Sequence, residues 1–275
     1  MLAGCLAALA WLVPDALAQA ASGRYGWWLP PNVSTVGGPI DRIFYVILIV
    51  TGVVCVLVQG ALVIFLVKYR ARPGGRAHYT HGNNRLELIW TAVPAIFLAG
   101  LALVSQQVWG EIKPSAGFRG AQDGAGDPVI IEIVAQQFAW NIRYPGADGV
   151  FGRRDVARVS GTNLIGLDPT DPASADDILS PNQLHIPVGR QIQVRLTSKD
   201  VLHSFFLPDF RVKQDAVPGM QINVFFDALE AGNFEIACAE LCGLQHYYMK
   251  GYVTVHESDD AFNAWLAEKA PAHAE

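Results

Sequence analysis

Residues 43–67 read IFYVILIVTGVVCVLVQGALVIFLV, a run of 25 with one amide, Gln59, and no charge. Wound as a helix at about 1.5 Å per residue, such a run exceeds the roughly 30 Å hydrocarbon core of a bilayer. A second uncharged run, 21 residues from Leu88 to Val108, is also long enough to cross. The segment between them, KYRARPGGRAHYTHGNNR (68–85), holds Lys68, Arg70, Arg72, Arg76 and Arg85 and no acid. A positive loop of this kind stays on the cytoplasmic side, which sends both chain ends outward. Upstream, residues 1–20 are apolar and end in Ala16-Leu17-Ala18, the pattern of a cleavable export leader. Leader and loop give the same orientation independently. Cys5 falls inside that leader, and residues 21–40 form a short external segment.

Composition limits the kind of domain that the two spans can carry. Charged residues are 16% of the 275, hydrophobic ones 51%, and mean hydropathy is +0.25. Disordered tails, collagens and small disulfide scaffolds are excluded by these values. The net charge of −5 gives no footing for binding nucleic acid through its phosphates. From Glu111 to Glu275 there are 22 acids and 13 bases, a balance of −9 that would attract a basic partner. Asp168, Asp171, Asp176 and Asp177 are the acids first expected to meet it.

Past Glu111 the apolar residues alternate. The segments 129–134, 138–144, 191–196, 221–226, 234–238 and 251–255 have the composition and spacing of half-buried strands. They predict an antiparallel β-sandwich or barrel over residues 111–258. The stretch 145–181, rich in Gly, Asp and Pro, is expected to be a long external loop. Ser258 before Asp259 and Asp260 is an N-cap with acids at the positive end of a helix dipole. Residues 259–275 should therefore be a short closing helix and tail.

The chemistry sits at residues 238–249, CAELCGLQHYYM, with a further imidazole far upstream at His203. Thiolates and thioethers select soft metals, and imidazole suits copper or zinc. Two thiolates on one loop can each bridge two metals, leaving every copper a terminal imidazole and one weak axial ligand. Met249 can supply one axial donor and the backbone carbonyl of Glu240 the other. A Cys2His2 zinc site and a Cys238–Cys242 disulfide are the competing readings, although zinc leaves Met249 without a role. His78, His81, His185, His256 and His273 lie outside the pattern and read as surface or loop residues. Cys55, in mid-span, reads as a core hydrophobe.

The string C-x-E-x-C-x3-H-x2-M, preceded by D-V-L-H-S (200–204) and D-A-V-P-G (215–219), resembles subunit II of haem–copper cytochrome c oxidases. The likeness covers nearly all of the chain after the leader. It implies two transmembrane helices followed by an all-β, cupredoxin-like Greek-key barrel or sandwich. It further implies a binuclear CuA centre of two copper ions on His203, Cys238, Cys242, His246, Met249 and the Glu240 carbonyl. The Glu240 side chain would reach a magnesium ion shared with subunit I. Glu87, in Leu86-Glu87-Leu88-Ile89-Trp90-Thr91, matches the family's acid at the mouth of a proton path.

Electrons would come from a basic cytochrome c and leave for haem in subunit I, the subunit that reduces dioxygen and pumps protons. Other oxidase subunits would complete the complex, in the inner membrane of a bacterium with the copper domain on the periplasmic side. One departure is evident. The family often reads Q-W-x-W where this chain has Gln137-Phe138-Ala139-Trp140, so Phe138 replaces the aromatic through which electrons usually enter, and Trp140 is the other candidate. No Cys-x-x-Cys-His is present, so the chain is expected to carry no haem. A quinol oxidase subunit would lack the copper ligands. The CuA subunit of a nitric oxide reductase and a membrane-tethered copper carrier remain as alternatives.

Overall fold

The computed structural model describes residues 28–76, 78–113 and 127–271. The expected leader, Cys5 and His273 lie outside those residues. Two long helices come first: α1 (Gly37–Lys68) and α2 (Asn84–Ile112). Both meet the length and hydropathy of a membrane span. They are longer than the apolar runs alone indicate. At 32 residues α1 is about 48 Å long, so its ends extend past a hydrocarbon core. Pro39 is tolerated in its first turn, where amide hydrogens have no helical partner. Thr51 returns its hydroxyl to the Ile47 carbonyl at 2.7 Å, which satisfies a polar group within the apolar run. Cys55 is on the exposed surface of α1, not in a core. Among the described residues no core encloses it.

Asn83 caps α2, its side-chain oxygen accepting from the backbone of Arg85 and Leu86 at 3.0 and 3.3 Å. Glu87 therefore falls in the first helical turn, where the dipole favours an acid. The segment between the helices is irregular, and His78 and His81 are exposed there, as expected.

The β-domain contains two five-stranded sheets. One, in the order β3-β2-β1-β5-β8, is built from β1 (Val129–Gln136), β2 (Ala139–Tyr144), β3 (Ile178–Leu179), β5 (Gln191–Ser198) and β8 (Ile222–Asp227). The other, in the order β4-β10-β9-β6-β7, uses β4 (Gln183–Pro187), β6 (His203–Leu207), β7 (Val212–Ala216), β9 (Gly232–Cys238) and β10 (Lys250–His256). The expectation of a purely antiparallel fold is corrected. β1 runs parallel to β5, and β4 runs parallel to β10. Alternation along one strand reports which face is buried and says nothing of its neighbour's direction. On β5 the alternation is complete: Ile192, Val194, Leu196 and Ser198 point inward. The three apolar ones meet Phe205, Leu207, Phe234 and Ile236 of the facing sheet in one continuous core.

Residues 28–36 belong to this domain. Val33 is buried in the core, its N–H donating to the Asp209 carbonyl at 2.9 Å and its carbonyl accepting from Leu229 at 2.8 Å. Ser34 Oγ donates to Asp227 at 2.8 Å. This strap closes one edge of the core and leads directly into α1.

The loop 145–181 is anchored from within. Arg143 is buried and pairs with Glu132 and, at 2.9 Å, with Asp177. It also donates to the Gly152 carbonyl at 2.9 Å. Asp177 is thus a buried partner, not a docking residue. Asp168 and Asp171 are engaged by Arg153, at 3.7 and 3.2 Å, and Asp168 also by Arg158 at 3.4 Å. Asp176 Oδ2 accepts from the Asp148 backbone. Of the four expected docking acids, Asp177 is buried, whereas Asp168, Asp171 and Asp176 keep partly exposed positions while pairing within the loop.

The closing helix α3 (Asp259–Lys269) begins as expected, with Ser258 Oγ accepting from the Ala261 N–H at 3.2 Å. Phe262 is buried against the core.

Candidate metal centre

The end of β9, the loop after it and the start of β6 bring six expected donors together. Cys238 Sγ and Cys242 Sγ are 3.9 Å apart. Each sulfur has its own imidazole. His203 Nδ1 is 4.0 Å from Cys238 Sγ, and His246 Nδ1 is 3.6 Å from Cys242 Sγ. Met249 Sδ lies 3.8 Å from Cys242 Sγ, and the Glu240 carbonyl 3.2 Å from Cys238 Sγ. His203, Cys238 and Cys242 have ligating atoms within 4.8 Å of one another, a separation that metal ions can span.

Local structure explains the convergence. Met249 faces the core because a one-turn 3-10 helix, His246–Tyr248, folds the chain back before β10. Cys238 N–H then donates to the Met249 carbonyl at 3.3 Å, closing the loop on itself. His203 opens β6 and is fully buried. Its Nε2 meets Asp200 Oδ1 at 2.8 Å. That contact keeps a proton on Nε2, so Nδ1 faces the sulfurs. Without metal it can donate to the Cys238 thiolate, and a bound ion would take the place of that proton, a common arrangement for a ligating histidine.

The thiols differ in character. Burial pushes the Cys242 thiol up to about 11, and the neighbouring Cys238 adds to the rise. Burial would raise Cys238 as well, but hydrogen bonds from His203 and the backbone around it outweigh that and bring it to about 6. One thiolate is thus available to metal near neutrality, and the second must lose its proton as metal binds.

Trp140 is fully buried and sits edge-on to His203, with ring centroids 6.3 Å apart, and to Phe205 at 5.5 Å. It shields that imidazole and, being buried, cannot touch an external donor. Phe138 is partly buried and packs against the same core. The Glu240 side chain is exposed, as are Leu241, Leu244, Tyr247 and Tyr248, so an apolar rim surrounds the buried sulfurs.

Asp200 carried no expected role, although it stands three residues before His203 in the D-V-L-H-S string. The same holds for Gln137, whose amide donates to the Cys242 carbonyl. His185 and His256 are not loop residues either. They pair across β4 and β10, Nδ1 to Nε2 at 3.0 Å.

Comparison with known proteins identifies the family. Residues 129–256 match the family "Cytochrome C oxidase subunit II, periplasmic domain", and residues 23–108 match its transmembrane domain. Among curated relatives, the alternative cytochrome c oxidase subunit 2 of Bradyrhizobium diazoefficiens is 33% identical, over 88% of this chain and 84% of its own. The cytochrome c oxidase subunit 2 of Synechocystis is 31% identical, over 90% and 77%. Among solved structures, the periplasmic domain of subunit II of cytochrome oxidase from Bradyrhizobium japonicum is 30% identical. It covers 53% of this chain and 96% of its own, with a TM-score of 0.39. Two spans, a two-sheet domain, a paired-thiol corner and a relative matched over most of its length lead to one conclusion: the chain belongs to the cytochrome c oxidase subunit II family.

Proposed function

We propose that this chain is the electron-accepting subunit of a terminal cytochrome c oxidase, with a binuclear CuA centre. The copper would be held by His203, Cys238, Cys242, His246, Met249 and the Glu240 carbonyl. The observation that carries this reading is the paired geometry: two sulfurs 3.9 Å apart, each facing a separate imidazole nitrogen. A single zinc needs neither Met249 nor a sulfur-bridged pair. Held there by these residues, copper would supply one-electron transfer between cytochrome c and haem in subunit I.

The chain's own residues make that exchange fast by holding still. Asp200 fixes the tautomer and tilt of His203. Trp140 and Phe205 keep water from the buried side of that ring. The exposed Glu240 carboxylate is available to a magnesium ion shared with subunit I. The apolar rim of Leu241, Leu244, Tyr247 and Tyr248 gives partner proteins a surface to exclude water from. The positive loop 68–85 supports an orientation with the copper domain on the periplasmic side of a bacterial inner membrane. Glu87 would then lie at the cytoplasmic end of α2, where it could collect protons for subunit I.

Two measurements test the reading. The full-length chain in detergent, loaded with copper, should bind two ions and give a purple mixed-valence species with hyperfine coupling to both nuclei. One copper, or a colourless zinc protein, overturns the centre. Glu87→Gln keeps size but removes the titratable group. In the assembled oxidase it should lower turnover severalfold while copper content stays normal. Unchanged turnover would make Glu87 an interfacial anchor.

A further inference from the structure

The metal corner is assembled from two segments that meet at one end of a β-sheet. His203 opens β6, whereas Cys238, Cys242, His246 and Met249 lie at and beyond the end of β9. β6 and β9 are paired through Phe205↔Cys238 and Phe206↔Ala237, and beyond the end of β9 the Ala239 N–H donates to the Ser204 carbonyl at 3.0 Å. The turn between β1 and β2, which carries none of the expected ligands, touches both segments.

Gln137 Nε2 donates to the Cys242 carbonyl at 2.5 Å. Its backbone N–H donates to Asp200 Oδ2 at 2.7 Å. Asp200 uses its other oxygen on the Val201 N–H at 2.7 Å and on His203 Nε2 at 2.8 Å. Both carboxylate oxygens are therefore committed. Packing makes the same connection. Gly243, next to Cys242, has φ +141°, and a Cβ there would stand 2.7 Å from Gln137 Nε2 and 3.1 Å from Phe138 Cζ. The turn lies against the cysteine loop, and a side chain at position 243 would have to displace the Gln137 amide from its place.

We infer that Gln137 is a positioning residue of the metal centre, one residue that holds His203 through Asp200 and the thiolate loop through the Cys242 carbonyl. It sets the separation of the two halves. Hydrogen bonds behind the ligating atoms tune a metal site as well as support it. Gln137 therefore acts on the electronic balance between the two metals and not only on stability. This rests on the CuA reading above, and the test separates the two.

The test uses the full-length, copper-loaded chain in detergent. Gln137→Met keeps length without a donor, Gln137→Ala removes both, and Asp200→Asn weakens the other arm. Gln137→Met should retain two coppers while the visible bands and the reduction potential shift, and the couplings to the two nuclei should become less equal. Asp200→Asn should disturb the same signals. Loss of copper loading by a variant whose copper-free chain melts at the wild-type temperature also supports positioning. Unchanged spectrum and potential in Gln137→Met and Gln137→Ala would overturn the inference, even if both melt earlier. Loss of copper together with loss of the fold would do so too, leaving a packing role. If the wild-type chain itself fails to bind two coppers, the CuA reading falls instead.

Discussion

Two pairs of histidines stand in the β-domain, and they use their nitrogens differently. At the metal corner, His203 and His246 each aim Nδ1 at a sulfur, 4.0 and 3.6 Å away. Under α3, His185 and His256 aim at each other, with Nδ1 and Nε2 3.0 Å apart and ring centroids 5.3 Å apart. Those two separations place the contact along the line joining the ring centres, which is an N–H···N hydrogen bond. Nitrogens that bond to one another cannot also converge on an ion. Trp265 stacks on His185 at 3.9 Å and 11°, which seals the pair further. Two imidazoles close in space therefore do not make a metal site. The deciding matter is whether a nitrogen is left for an outside partner.

Removing sulfur should break the metal corner completely. Cys238→Ser or Cys242→Ser replaces a soft bridging thiolate with a hard hydroxyl. The two-copper signature should vanish from electron paramagnetic resonance and metal analysis, whereas His185→Leu should leave it intact.

Acid should act on the other pair. Burial, then the neighbouring His256 and Lys269, hold His185 down at about 4 against an ordinary 6.5. Burial lowers His256 as well. The unfolded chain takes up these protons first, so the contribution to stability is complete above pH 6.5 and is lost as pH falls toward 4. The copper-free chain should melt progressively earlier across that window. His185→Leu should flatten this part of the curve and cost about 1–2 kcal/mol at neutral pH, for the lost hydrogen bond and stacking. A melting profile equally steep in the variant would assign the acid response to other groups.

Smaller effects sharpen the contrast. Met249→Leu removes only a weak axial donor, so copper should stay bound while the reduction potential rises, read by spectroelectrochemical titration. The loop acids share the logic of His185, being already engaged by internal partners. Asp168→Asn should change the apparent affinity for a basic cytochrome c less than about twofold at about 0.15 M salt, where charges beyond about 8 Å are screened. A larger loss in steady-state kinetics would restore this loop as a docking surface.

The same distinction explains why some elements were legible in the sequence and others were not. Both spans and six strands are visible because burial on one side, or a uniformly apolar surface, leaves a local pattern. β6 is missed because His203-Ser-Phe-Phe-Leu207 is buried almost throughout and shows no alternation. β7 is missed because Lys213, Gln214 and Asp215 make it polar at a sheet edge. The donors on the 238–249 loop are legible from spacing, since one short loop carries them. The Arg143–Asp177 pair spans 34 residues and the His185–His256 pair 71. Parallel pairing of β4 with β10 creates the second contact, and no local pattern encodes which strand becomes a neighbour. Asp200 and Gln137 act through other residues, so their chemistry is visible only once the fold is known.

The strap at residues 28–36 bears on how the copper domain can be studied apart from the membrane. A soluble fragment begun after α2 would lack Val33, both of its backbone hydrogen bonds and the Ser34–Asp227 contact. It would open a slot in the core beside Asp209 and Leu229. Losing a buried valine alone costs about 1–3 kcal/mol. Such a fragment would reach its acid and heat limits sooner than the native chain. Supplying residues 28–36 as a separate peptide should recover the difference, which makes the strap a handle for complementation.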